Sequence, residues 1–164
     1  MAISAAAALW FLPFVLPICL YVAFTDMKQM RITNQAVVLL GVFFLILGLI
    51  ALPFESYLWR LMNLIIVLAV GIVLNAVGAM GAGDAKFAAA ASPYIALGDL
   101  RLLMALFMAT LLAAAATHRA VKYTPLRRLA PDWQSWQESK KFPMGLALGT
   151  TLALYLILGV FYGK

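Results

Sequence analysis

Asp84 sits in Gly81-Ala82-Gly83-Asp84-Ala85-Lys86, a G-x-G-D-x-K run inside a strongly apolar chain. A carboxylate at membrane depth is costly, and its default reading is functional. A candidate partner, Asp26, lies in Thr25-Asp26-Met27-Lys28-Gln29-Met30-Arg31-Ile32-Thr33-Asn34. Two aspartates held together can hydrolyse a peptide. The ionised one takes a proton from water, and the protonated one donates to the carbonyl or the leaving amine. Like charges close together do not both ionise easily, so such a pair shares a proton, and its split apparent pKa values belong to the pair. Each acid taken alone has a structural explanation as well, as a helix cap or the partner of a nearby lysine. Their joint occurrence beside the glycines favours the chemical one.

The neighbouring residues divide in the same way. Gly81 and Gly83 permit close backbone approach, which an acid that must meet an extended substrate needs, although glycines also punctuate and pack membrane helices. Lys86 lies two residues past Asp84 and on a helix would point away from it, either steering anionic groups or snorkelling to the interface. Lys28 and Arg31 read first as positive anchors at the membrane surface and second as supports for the site. Thr33 and Asn34 are cap residues for a second helix. Asn63 and Asn75 suit interhelical hydrogen bonds. Asp99 fits a turn beside Arg101, and Trp133 and Trp136 suit interfacial anchors.

The elements that must position these acids are membrane helices. Of the 164 residues, 66% are hydrophobic and 11% charged, too few polar residues to cover a soluble domain. An all-α, polytopic six-transmembrane-helix bundle is expected, with residues 1–164 as one integral membrane domain. The apolar runs fall at about 5–25, 35–52, 56–80, 83–98, 98–117 and 143–162. The first contains Pro13 and Pro17, so a kink is expected there. The fourth is short: at about 1.5 Å per residue it reaches some 24 Å, less than the roughly 30 Å hydrocarbon thickness. A polar stretch over 118–141 reads as a loop that sets topology.

The formal charge of +6 does not call for nucleic acid as a partner, because the basic residues cluster between apolar runs, as topology and anionic headgroups require. With the N-terminus outside, the inner side carries Lys28, Arg31, Lys86, Arg119, Lys122, Arg127, Arg128, Lys140 and Lys141. The outer side keeps Arg60, Arg101 and Lys164. Asp26 and Asp84 then share the cytoplasmic leaflet. Cys19 is the single cysteine and His118 the single histidine, which leaves no intrachain disulfide, no multi-residue metal site and no cofactor to expect. The first apolar run lacks a basic n-region and reads as a retained helix rather than a cleaved signal.

Three blocks of the chain resemble the prepilin peptidases, aspartic proteases of the G-x-G-D class, in the short form found with Flp/Tad-type pili. They are Asp26-x-Lys28-x-x-Arg31-Ile32-x-Asn34, Gly81-Ala82-Gly83-Asp84-Ala85-Lys86, and Lys141-Phe142-Pro143-Met144-Gly145-Leu146-Ala147. They stand in family order with apolar spacers of suitable length. G-x-G-D alone is also similar to presenilin-like enzymes, but those set the first aspartate after a tyrosine, where this chain has Thr25. The resemblance implies Asp26 and Asp84 as the catalytic pair, in a bacterial inner-membrane enzyme of pilus biogenesis and protein secretion. It would cut the basic cytoplasmic leader from a prepilin after a glycine. The paired C-x-x-C segment and methyltransferase activity of larger members have no counterpart here. Substrate helices would lie in apolar grooves of the bundle. An archaeal-type preflagellin peptidase, a small proton-coupled carrier and a non-catalytic assembly scaffold are the alternatives; the oligomeric state is left open.

Overall fold

The computed structural model describes residues 1–136 and 142–164, so Lys140 and Lys141 of the expected inner charge cluster lie outside the described residues. Within them the regular elements are helical: α1 (Ala5–Gln29), α2 (Asn34–Ala51), α3 (Phe54–Ala76), α4 (Ala82–Ala91), α5 (Leu100–Lys122) and α6 (Met144–Tyr162), with short 3₁₀ turns between some of them. All but α4 are long and apolar enough to cross a membrane, and the chain is a multi-pass helical membrane protein.

Local chemistry sets the ends. Ser4 caps α1 by accepting from the Ala7 N–H at 3.2 Å. At the far end Met30 takes a left-handed conformation, φ 51°, and returns its N–H to the Asp26 carbonyl at 2.8 Å. Helix α1 thus runs one turn beyond the apolar stretch and carries Asp26 inside its last turns. Thr33 alone caps α2, through the Ala36 N–H at 3.4 Å; Asn34 is already helical and turns its side chain elsewhere. Pro53 follows the last turn of α2 and starts α3. Helix α3 stops at Ala76, earlier than its apolar run, because Gly78 takes φ 75° and Asn75 Nδ2 donates to the Met80 carbonyl at 2.9 Å. Asn75 therefore closes its own loop instead of bonding across helices.

The fourth run does not cross as a single helix. After the ten residues of α4 the chain makes 3₁₀ turns at Ser92–Tyr94 and Leu97–Asp99 before α5. Pro93 has no N–H with which to continue an α-helix. Irregular backbone at such depth needs partners from neighbouring helices. Arg60 of α3 supplies them, donating from Nη1 to the Pro93 and Tyr94 carbonyls at 3.2 and 3.1 Å. Tyr94 in turn donates from its hydroxyl to the Leu40 carbonyl at 2.7 Å. Asp99 does more than make a turn beside Arg101. Its carboxylate accepts from the Ala2 and Ile3 N–H groups at 2.7 and 3.0 Å and from the Tyr155 hydroxyl at 2.9 Å, tying the start of α5 to the chain start and to α6.

The core lies around α1, which packs against α6 on one side and α2 on the other, while α3 packs on α4 and α5 on α6. Phe11, Phe44 and Tyr94 meet edge-on or tilted at centroid distances of 4.9 to 5.9 Å. Along the α1–α6 contact a Cβ on Gly149 would stand 2.8 Å from the Cys19 carbonyl oxygen, so the two backbones touch. Gly149→Ala is therefore expected to overpack this contact, at a cost of about 1–3 kcal/mol. Cys19, buried and the only thiol, reports the effect. On heating in detergent it should react with a fluorogenic maleimide several degrees earlier than in the parent protein. An unchanged labelling temperature would refute the close approach.

Candidate active site

Asp26 lies within the last turns of α1 and is 5% exposed. Its Oδ2 accepts the Gly145 N–H at 2.6 Å, and the Leu146 N–H also points to the carboxylate. These are second and third residues of α6, whose N–H groups have no partner within the helix. Pro143, at the cap position, has no capping side-chain bond. Asp26 thus does from another helix what a capping side chain does locally. A Cβ on Gly145 would stand 2.9 Å from both Asp26 Cβ and Oδ2, so only glycine lets the carboxylate reach these amides.

Asp84 occupies the third position of α4, with Gly81 as its cap residue. Its carboxylate folds back onto the Gly81 N–H, the acidic half of a capping box. A Cβ on Gly81 would lie 2.6 Å from Asp84 Oδ2, so Gly81 makes room for the acid. Gly83 serves packing: a Cβ there would meet Ile32 Cβ at 3.3 Å, and Ile32 is buried in the α1–α2 connection. Burial dominates the surroundings of both carboxylates, and the charge of Asp84 reaches Asp26 as a lesser influence after burial and the Gly145 amide. Two acids from distant parts of the chain thus lie within electrostatic range of one another.

The basic residues do not join them. Lys86 is exposed and donates from Nζ to Asn34 Oδ1 at 3.2 Å, linking α4 to the start of α2. Lys28 Nζ stands 5.8 Å above the Phe24 ring, and Arg31 is exposed. The contacts of Lys28 and Lys86 lead away from the carboxylates. Gly145 and Leu146, by contrast, hold Asp26, a role that Pro143-Met144-Gly145 at the head of an apolar run hints at without revealing its partner.

Two cavities open beside residues close in the chain to these acids. One of about 620 Å³ opens between α3, α4, α5 and α6; Met80, Phe87 and Ala88 bring it to within a turn of Asp84, and Asn63, Phe107 and Thr151 lie along it. The other, of about 330 Å³, is lined by Met27, which follows Asp26, by Leu146, and by residues of α5 and of the segment after it.

The type IV leader peptidase family model matches residues 13–118, most of the chain and both aspartates. The chain belongs to the type IV leader peptidase family. That membership carries a peptidase with a protein substrate in a membrane setting. No curated protein and no solved structure gives a significant match. The match ends before α6, so the Gly145 contact with Asp26 comes from the structure alone.

Gly145→Ala is expected to push the Asp26 carboxylate aside and slow leader cleavage by about a hundredfold, since small misplacements at a reacting centre cost that much. Gly41→Ala, on α2 with open space around it, should cleave at the parent rate. Rates measured on detergent-purified protein with a leader-bearing substrate decide the matter. Equal rates for the two variants would mean that the Gly145 amide does not set the Asp26 position.

Proposed function

We propose that this chain is an aspartic endopeptidase of the bacterial inner membrane that removes the basic cytoplasmic leader from Flp-type prepilins or pseudopilins, cutting after a glycine, with no methyltransferase step. The observation that supports the reading is that the charge of Asp84 on α4 reaches Asp26 on α1, two acids distant in sequence inside a leader peptidase family member.

In the proposed reaction the pair holds one proton. The ionised carboxylate takes a proton from water as the water oxygen attacks the scissile carbonyl, and the protonated one donates to the carbonyl oxygen. The tetrahedral intermediate then collapses: its C–N bond breaks, the proton taken from water passes to the leaving amine, and one hydroxyl returns its proton to the carboxylate that had donated, which restores the one-proton pair. Either aspartate can begin as the base. Gly81 gives the Asp84 carboxylate its space, Gly83 seats α4 on Ile32, and Lys86 fixes α4 to Asn34. Lys28 and Arg31 would meet anionic lipid headgroups on the cytoplasmic side, with the N-terminus outside. The apolar helix of the substrate would lie in the groove between α3 and α5, its cut site beside Asp84.

Co-expression of a Flp-type prepilin with the parent protein, Asp26→Asn and Asp84→Asn tests the proposal by a mobility shift. Processing should occur with the parent and fall by at least ~10²-fold with each variant at equal membrane levels. The rate of the purified parent should be bell-shaped in pH, because both fully protonated and fully ionised pairs are inactive. Processing that survives either substitution removes that aspartate from the mechanism.

A further inference from the structure

The 330 Å³ cavity beside Asp26 has an unusual wall for the end of a membrane bundle. The His118 ring stacks on Trp136 at 4.9 Å and 18°, and Trp136 stacks on Trp133 at 5.7 Å and 11°. Phe142 stands edge-on to His118 at 5.9 Å, and Trp133 is edge-on to Phe24 at the same distance. Trp136 is 3% exposed, and its Nε1 donates to the Ala130 carbonyl at 2.8 Å. It is therefore a fixed wall and not the interfacial anchor expected from sequence. The floor is Met27 and Leu146, chain neighbours of the two residues that make the 2.6 Å bond at Asp26.

Size and polarity restrict the occupant. A dry apolar cavity of about 150 Å³ already takes benzene, so about 330 Å³ holds one large side chain with room to spare. Among the described residues no acidic residue, lysine or arginine lines it, which disfavours the charged residues of a basic leader. Rigid aromatic surface favours an apolar or aromatic group.

We propose that this cavity is a specificity pocket that receives one large apolar side chain of the substrate protein, that of the residue following the glycine at the cut made by the Asp26/Asp84 pair. The pocket rests on the peptidase reading for its substrate, and it has a readout that does not need cleavage.

The test uses the full chain with Trp10→Phe and Trp59→Phe, which leaves Trp133 and Trp136 as its only indoles, made inactive by Asp84→Asn. The probe is a prepilin-derived peptide with 4-bromophenylalanine immediately after the cut, whose bromine quenches an indole in contact with it. Quenching is expected, and it should be lost with Val121→Phe, which fills the cavity. In otherwise active protein, Val121→Phe should raise KM at least ~tenfold for a substrate with an aromatic residue at that position. The matching alanine substrate should be affected less than twofold.

Cleavage without quenching, or Val121→Phe slowing both substrates equally, overturns the pocket and leaves the peptidase standing. Quenching without cleavage by the active form upholds an apolar peptide pocket and overturns the peptidase reading. Quenching by brominated acyl chains that the peptide fails to relieve marks the cavity as a lipid site and overturns the proposal. Neither quenching nor cleavage overturns both.

Discussion

The close contact of α1 with α6 is the constraint on which the rest of this bundle depends. Glycines on α6 meet α1 at both ends and in the middle: Gly145 against Asp26, Gly149 against the Cys19 carbonyl, and Gly159 against Ala8 and Ile3, each with 2.8 to 3.0 Å left for a Cβ. Helices in lipid gain little from hydrophobic exclusion of one another, so small residues that allow backbones to touch carry the association. Polar bonds close this seam at each end. At one, Asp26 takes the free amides of α6; at the other, Asp99 joins the chain start, α5 and Tyr155. The Asp26 carboxylate is thus fixed by a helix far away in sequence, and its position follows from the packing of the whole length of α1.

The second acid reaches the same place by a different device. A full-length fourth helix would add a sixth complete crossing; ten residues of α4 do not, at about 1.5 Å each. The small faces of α3 and α4 bring them together, with Ala85 Cβ 3.0 Å from where a Cβ of Gly71 would be. Arg60 and Tyr94 settle the backbone groups of the broken stretch. Because α4 is short, α3 and α5 stand apart along part of their length and leave the larger groove open between them. Shortness therefore does two things at once: it starts a helix with Asp84 near Asp26, and it gives an apolar segment a lateral way toward that acid.

Much of this was legible in the chain. Apolar runs bounded by Pro53, Gly98 and Pro143 mark the helices, and two isolated acids beside glycines mark the candidate site. What was hidden involves partners distant in sequence. Nothing near Asp99 names Ala2, Ile3 or Tyr155, so a turn was the natural local reading. Arg60 looked like a topology charge because the carbonyls it satisfies exist only once Pro93 has broken the helix. Trp133 and Trp136 carry the composition of interfacial anchors, yet Trp136 stacks on His118 and Trp133 on Trp136. Helical spacing puts Lys86 off the Asp84 face, but its bond to Asn34 is not visible from either residue's neighbourhood.

The choice between cap and catalyst, posed for each aspartate by the sequence, is not exclusive in physical terms. Asp26 caps α6 and Asp84 closes the first turn of its own α4, so both acids do what the structural explanation asks of them. A capping carboxylate sits where unpaired N–H groups and the helix dipole favour negative charge. A water-activating pair needs one ionised member held rigidly in a water-poor setting, so in the proposed reaction the same amides would serve both purposes. The geometry also limits what evolution can vary without loss of the proposed chemistry. Gly81 and Gly145 each leave less than 3.0 Å for a Cβ against a carboxylate oxygen, and a side chain at either would move an acid and uncap a helix in one step.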